Sequence, residues 1–255
     1  MFTPPQLSPT AWLLVMVAAF CSGMSKAGLA GVSMLGVTLT ALAMDGLAST
    51  GVVLPLLIFA DVLAASTFRQ HVQWPEIRRL ALPVSAGIVA GWLLMLTVSS
   101  QPDLRNGFRP LVGCIVLGMV VLQLIRQRMP DLGAILPHSR IFAWSAGILT
   151  GLTTMTANAA GPVATIYLLI LALPKHQFVH TMAWLFLLVN LAKVPFSIQL
   201  GLINGGSLAL NLCQAPAVVA GLLAGKKLVE IIPQATFQRL VLGLAAASAV
   251  WLLAA

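Results

Sequence analysis

Ten apolar runs, separated by short polar or Gly/Pro-rich breaks, restrict this chain to one kind of surroundings. They fall near residues 11–25, 32–44, 47–66, 80–98, 110–125, 141–156, 161–173, 181–199, 207–225 and 237–254. A helix that crosses a bilayer needs about 20 apolar residues. Ordinary soluble domains carry roughly 25 % charged residues, whereas these 255 residues are 59 % hydrophobic and 8 % charged. Such a chain cannot cover its own surface with groups that water tolerates. It reads as an all-α polytopic membrane protein with 8–10 hydrophobic segments. A disordered chain needs low hydrophobicity, and a disulfide scaffold needs more than the scattered Cys21, Cys114 and Cys213.

Fourteen Lys and Arg against six Asp and Glu give a formal charge of +8. In a soluble chain that would suggest nucleic acid. In a membrane chain it is what cytoplasmic loops collect, so no nucleic-acid partner is expected. No Lys or Arg precedes Lys26 and the bulky Phe20 precedes Cys21. The first apolar segment is therefore expected to stay in the mature protein rather than act as a signal peptide.

Four of the ten runs are short and form two pairs, 11–25 with 32–44 and 141–156 with 161–173. Each pair is interrupted by a polar, Gly-rich break, Ser25-Lys26-Ala27-Gly28-Leu29-Ala30-Gly31 in one and Thr156-Ala157-Asn158-Ala159-Ala160-Gly161-Pro162 in the other. The pairs occupy corresponding places in two weakly similar halves. Gly23 answers to Gly151, the run into Asp61 to the run into Asn190, and Pro83, Gly87 and Gly91 to Pro216, Gly221 and Gly225, at offsets of 128 to 134 residues. The expected organisation is a first repeat over 1–126, a cytoplasmic linker over 127–140 and a second repeat over 141–255, all in one membrane domain.

Loop charge orients the halves. Arg69, Arg78 and Arg79 lie in 67–79, Arg126, Arg128 and Arg140 lie around the linker, and Lys175 and the Lys226–Lys227 pair mark two further loops. Placed inside by the positive-inside rule, they put 67–79 on the cytoplasmic side and its counterpart 200–206 outside. The repeats are then inverted, whether each short pair is a broken double crossing or a re-entrant hairpin. Both termini fall outside.

Inverted repeats with broken helices at matching positions point to a secondary transporter that holds substrate near the membrane midplane. Helix N-termini starting near Gly31 and Gly161 offer unpaired N–H groups and partial positive charge, which favours anions. Lys26 adds a full charge, Asn158 an amide donor, and Gly28 lets backbone approach closely. The competing reading is that such glycines only let helices pack, as expected for Gly87–Gly91, Gly147–Gly151 and Gly221–Gly225. Asp61 and Lys193 are ionisable groups deep in apolar runs, where each costs about 2.5–3.5 kcal/mol on insertion scales. Asp61 is a candidate carrier of a coupling proton, and Asn190 with Lys193 a candidate anion contact. Alternatively Asp61 and Lys193 form a buried ion pair, or Lys193 snorkels to an interface.

Arg69, His71 and Trp74 have the composition of a membrane-surface anchor or gate. His176 and His180, four residues apart in a short loop, lack the Cys or acidic neighbours of a metal site. No metal or other cofactor is expected. No nucleophile-elbow, zinc-protease or dinucleotide-binding motif is present, so the chain does not read as an enzyme.

The strings Phe20-Cys21-Ser22-Gly23-Met24-Ser25-Lys26-Ala27-Gly28, Phe68-Arg69-Gln70-His71-Val72-Gln73-Trp74, Ala157-Asn158-Ala159-Ala160-Gly161-Pro162 and Asn190-Leu191-Ala192-Lys193-Val194-Pro195 resemble the sulfite exporter TauE/SafE family (TSUP) of membrane permeases. The resemblance implies transport of sulfur-containing anions, sulfite or organosulfonates such as sulfoacetate, usually outward across the bacterial inner membrane. One departure is Gly28-Leu29-Ala30-Gly31, poorer in glycine than in many members. The expected site combines Lys26, Gly28, Gly31, Asn158, Gly161, Asn190 and Lys193 for the anion with Asp61 for ion coupling. The expected partners are the small anion and the lipid bilayer, and a homodimer is compatible with both. An importer of the same anions and an anion channel are the alternatives.

Overall fold

The computed structural model of the chain describes residues 7–29, 32–43, 46–98, 139–158, 160–200, 203 and 205–254, with 114, 117–118, 120–121 and 124–125 between them. Among these residues there is no strand; nine α-helices are α1 (Pro9–Ser25), α2 (Val32–Ala43), α3 (Gly46–Thr67), α4 (Trp74–Val98), α5 (Arg140–Ala157), α6 (Ala160–Ile170), α7 (Lys175–Gln199), α8 (Gly205–Ile231) and α9 (Gln234–Ala254), and the few described residues of 114–125 are helical as well. Nine of the ten apolar runs are thus helices. Most of the run at 110–125 and of the linker at 127–140 lies outside the described residues.

Helix ends follow local chemistry. Ser8 caps α1 by accepting the Ala11 N–H, with Pro9 at the first helical position, and Ser139 caps α5 by accepting the Phe142 N–H. Three helices outrun their apolar cores. α4 begins at Trp74 and contains Arg78 and Arg79, α7 begins at Lys175, and α8 runs on through Lys226 and Lys227 to Ile231. His176 and His180 therefore lie on the first turns of a helix, not in a loop. Hydropathy marks only the lipid-depth part of a helix, while its hydrogen-bond ladder continues through residues that suit the headgroup layer.

The distribution of polarity is that of a membrane protein. Leu13, Ile141 and Leu212 are 66 %, 81 % and 73 % exposed, whereas Asp61 is fully buried. Stretches of α4 (Trp74–Leu96), α7 (Lys175–Gln199) and α8 (Leu208–Ile231) are long and apolar enough to cross a bilayer.

The chain forms two compact units, each drawn from both sequence halves. One holds α1, α2, α3, the part of α7 from Ala183 onward, and α8. Within it α1 packs against α8 and α2, and α8 also packs against α3. A Cβ on Gly23 would collide with the carbonyl of Val218, one on Gly221 with that of Phe20, and one on Gly225 with that of Met24. The helices touch through backbone because nothing larger than hydrogen fits. Lipid tails are as apolar as leucine, so such close van der Waals fit is what holds membrane helices together.

The second unit holds α4, α5, α6, the first two turns of α7, and α9. Here α4 packs against α5, α5 against α6, and α9 against α6. A Cβ on Gly151 would collide with the carbonyl of Val84, one on Gly87 with that of Ile148, and one on Gly91 would crowd Met155 and the carbonyl of Leu152. Every one of these contacts has its counterpart in the first unit at the offsets read from the sequence. Gly23 and Gly151, Phe20 and Ile148, and Met24 and Leu152 stand 128 residues apart, and Val84 and Val218, Gly87 and Gly221, and Gly91 and Gly225 stand 134 apart. In each unit a helix from the short pair of one half is fastened to a long helix of the other half.

Candidate functional site

The first unit buries a charged cluster where α1 ends. Lys26 caps the C-terminus of α1 with its N–H bonded to the Gly23 carbonyl, and the following turn passes through Gly28 at φ 101°. That left-handed conformation suits glycine and reverses the chain toward α2. The Lys26 side chain runs into the protein and is 6 % exposed. Its Nζ lies 2.7 Å from Asp61 Oδ1 on α3, a buried ion pair at contact distance. The same ammonium sits 4.9 Å from the centre of the Phe186 ring on α7, within cation–π range.

The second carboxylate oxygen is held from α7. Asn190 Nδ2 donates to Asp61 Oδ2 at 2.6 Å, between residues 129 apart in the chain. Lys193 follows Asn190 by three residues, which places it on the same face of α7. It is 2 % exposed, and the fields of both Lys26 and Asp61 reach it. Two lysine side chains, one aspartate and one carboxamide are therefore buried in the interior of one unit.

This arrangement bears on two of the alternatives, the partner of Asp61 and the position of Lys193. Asp61 takes Lys26 as its ion-pair partner at contact distance. Lys193 does not snorkel to an interface, because its side chain is buried. The Lys26–Asp61 pairing was missed in the sequence, although both residues interrupt apolar runs of the same half. Phe186 carried no signal, since an aromatic residue in an apolar helix is ordinary.

Asn158 and Gly161 belong to the second unit. Asn158 ends α5 in the left-handed conformation, φ 51° and ψ 29°, with its N–H bonded to the carbonyls of Thr153 and Thr154. Gly161 is buried in the first turn of α6, which begins at Ala160. The break between α5 and α6 thus falls where the sequence places it. Gly31 lies outside the described residues.

Arg69, which follows α3 in the first unit, and His71 and Trp74, at the start of the second, are each exposed. Arg69 Nε donates to the Ser66 carbonyl at 2.6 Å, and Trp74 opens α4 with 41 % of its surface exposed. The His71 N–H donates to His180 Nδ1 at 3.1 Å, and the Gln73 N–H to Thr181 Oγ1 at 2.9 Å. The rings of His71, His176 and His180 lie with centroids 5.3 to 6.5 Å apart. Spacing along the chain pairs only the last two. Among the described residues no group of three or more His, Cys, Asp or Glu is placed to hold a metal ion. Also unforeseen is the Tyr167 hydroxyl on α6, which donates to Glu76 Oε2 on α4 at 2.8 Å.

A family model described as Sulfite exporter TauE/SafE matches residues 13–252, nearly the whole chain. Comparison with curated proteins and with solved structures finds no match.

Proposed function

The chain belongs to the sulfite exporter TauE/SafE family of membrane transporters, and from that premise we propose a secondary transporter that exports small sulfur-containing anions, sulfite or organosulfonates such as sulfoacetate, across a bacterial inner membrane. Export is coupled to protons or another ion, and both termini lie on the periplasmic side. The observation that carries this reading is the buried set Lys26, Asp61, Asn190 and Lys193. Ionisable groups inside membrane helices are costly, and they concentrate on substrate and ion pathways.

In this reading Lys26 and Lys193 supply charge to a sulfo group and Asn190 supplies an N–H donor. Several oxygens of one oxyanion can accept such bonds at once. Gly28 gives the turn after α1 its close approach. Asp61 is the coupling group, because it competes with the anion for the same lysine. Asn158 and Gly161 offer donors and a helix start of the same chemical kind in their own unit. Arg69, His71 and Trp74 work at the membrane surface as an anchor or gate. The two halves act as inverted repeats, a proposal supported by the matched glycine contacts and by the meeting of the aligned residues Asp61 and Asn190.

Counterflow in proteoliposomes tests the reading. Unlabelled sulfite or sulfonate on the far side should accelerate uptake of labelled anion, as a carrier requires and a channel does not. Lys193→Ala and Asn190→Ala should each cut that flux at least tenfold. Intact flux in both variants would remove the cluster from the substrate path.

A further inference from the structure

We infer that the occupied site closes at zero net charge, so that a monoanion is its matched substrate and a dianion enters only together with one proton, which Asp61 takes. The inference rests on the proposal that the anion binds at the Lys26–Asp61–Asn190–Lys193 cluster, and it specifies which anions that cluster accepts.

Burying a charge without a counter-charge is strongly unfavourable, and in lipid no water relieves it. The inventory around Asp61 is short. From α1 comes Lys26 at 2.7 Å, and from α7 come the neutral Asn190 at 2.6 Å and Lys193, whose field reaches it. Along α3 itself and along α2 no other Asp, Glu, Lys, Arg or His occurs among the described residues, and α1 adds only the partly buried Cys21 thiol. On α8 the residues facing this region are apolar, with Val218 layered against Leu56 and Ala60. Its charges follow Gly225, which packs on Met24 and Ala27 beside Lys26; there Lys226 pairs with Glu230 at 4.0 Å, both substantially exposed, and Lys227 is exposed as well, so water screens them. With both lysines protonated, two lysines against one carboxylate give the empty cluster a formal charge of +1.

A sulfonate or hydrogen sulfite brings that sum to zero. Sulfite or sulfate as a dianion takes it to −1. One proton from solvent, placed on the Asp61 carboxylate, raises the empty sum to +2 and lets the dianion neutralise it. The contacts accommodate the change. A neutral carboxyl group releases Lys26 to the incoming oxyanion while the ammonium keeps its Phe186 ring, and Asn190 can turn its amide oxygen to accept the new O–H.

Calorimetric titration of the detergent-purified full chain tests this with methanesulfonate as a permanent monoanion and sulfate as a permanent dianion, each in two buffers of different ionisation enthalpy. Sulfate should take up one proton more per anion bound than methanesulfonate does. Its affinity relative to methanesulfonate should fall about tenfold per pH unit above neutrality. Asp61→Asn, with a formal charge of +2, should reverse the preference and bind sulfate without the extra proton. Lys26→Met combined with Asp61→Asn removes both members of the contact pair and restores the sum to +1, carried by Lys193. That variant should prefer the monoanion at every pH, which keeps the inference open to test where the single variant does not fold. Equal proton uptake for both anions, rejection of sulfate at every pH, or an unchanged preference in the variant that folds would overturn the charge count and leave the site standing. Failure of both anions to bind the wild-type chain would remove the site and this inference together.

Discussion

Asp61 and Asn190, 129 residues apart and at matching positions of the two halves, meet directly in a buried 2.6 Å hydrogen bond. The second copy of the pattern thus carries a neutral amide where the first carries an acid, and the amide is the acid's donor. Replacing Asn190 by Leu leaves Asp61 Oδ2 without that donor, at a cost of about 1–3 kcal/mol. Asn190→Asp should be worse, because a second carboxylate then faces the first. Thermal unfolding in detergent should rank wild type above Asn190→Leu, and Asn190→Leu above Asn190→Asp.

The ion pair between Lys26 and Asp61 has both members almost fully removed from solvent. Breaking such a pair from one side typically costs about 3–5 kcal/mol, because the remaining charge stays buried. Lys26→Met should therefore lower the unfolding midpoint strongly, and adding Asp61→Asn should recover most of the loss. If the double variant is as unstable as the sum of the singles, the two residues are not coupled.

Glycine-to-alanine changes separate the helix seams from the open surface. Gly23, Gly221, Gly87 and Gly151 each face a backbone carbonyl that an added methyl would strike, whereas nothing lies within 4 Å of a Cβ on Gly243. The first four should each destabilise by about 1–3 kcal/mol, the usual cost of overpacking. Gly243→Ala should be neutral or slightly stabilising, since alanine suits a helix better than glycine. Equal effects in the matched pair Gly23 and Gly151 would be the signature of equivalent seams.

Asn158 holds a left-handed backbone at the end of α5. Asn158→Gly should leave stability nearly unchanged, and Asn158→Val should cost about 1–2 kcal/mol, because a branched Cβ crowds its own carbonyl there. Comparing flux in the two variants at matched expression then separates the backbone role from any contribution of the amide side chain.

The acceptor for the His71 N–H is an imidazole nitrogen, whereas the nearby Gln73 N–H is held by a threonine hydroxyl. His180→Phe should speed hydrogen exchange at the His71 amide about fivefold, for a net hydrogen bond worth roughly 1 kcal/mol. The Gln73 amide should keep its protection. Equal acceleration at both positions would mean that the whole segment had come loose.

The sequence by itself determined what depends on near neighbours along the chain. Apolar runs of fixed length specified the helices, the clusters around Lys26–Gly28 and Asn158–Gly161 specified the breaks between them, and the offset of 128 to 134 residues aligned Gly23 with Gly151 and Asp61 with Asn190. Periodicity reports only whether a residue suits lipid, so it stopped at the polar ends of α4, α7 and α8 and placed His176 and His180 in a loop. The tertiary structure decided the partnerships. It fastened α1 to α8 and α4 to α5, and it gave Asp61 to Lys26 while burying Lys193 nearby. These choices depend on which helix faces can approach until their backbones touch. That is settled by where glycines from distant parts of the chain face one another, and no local pattern encodes it.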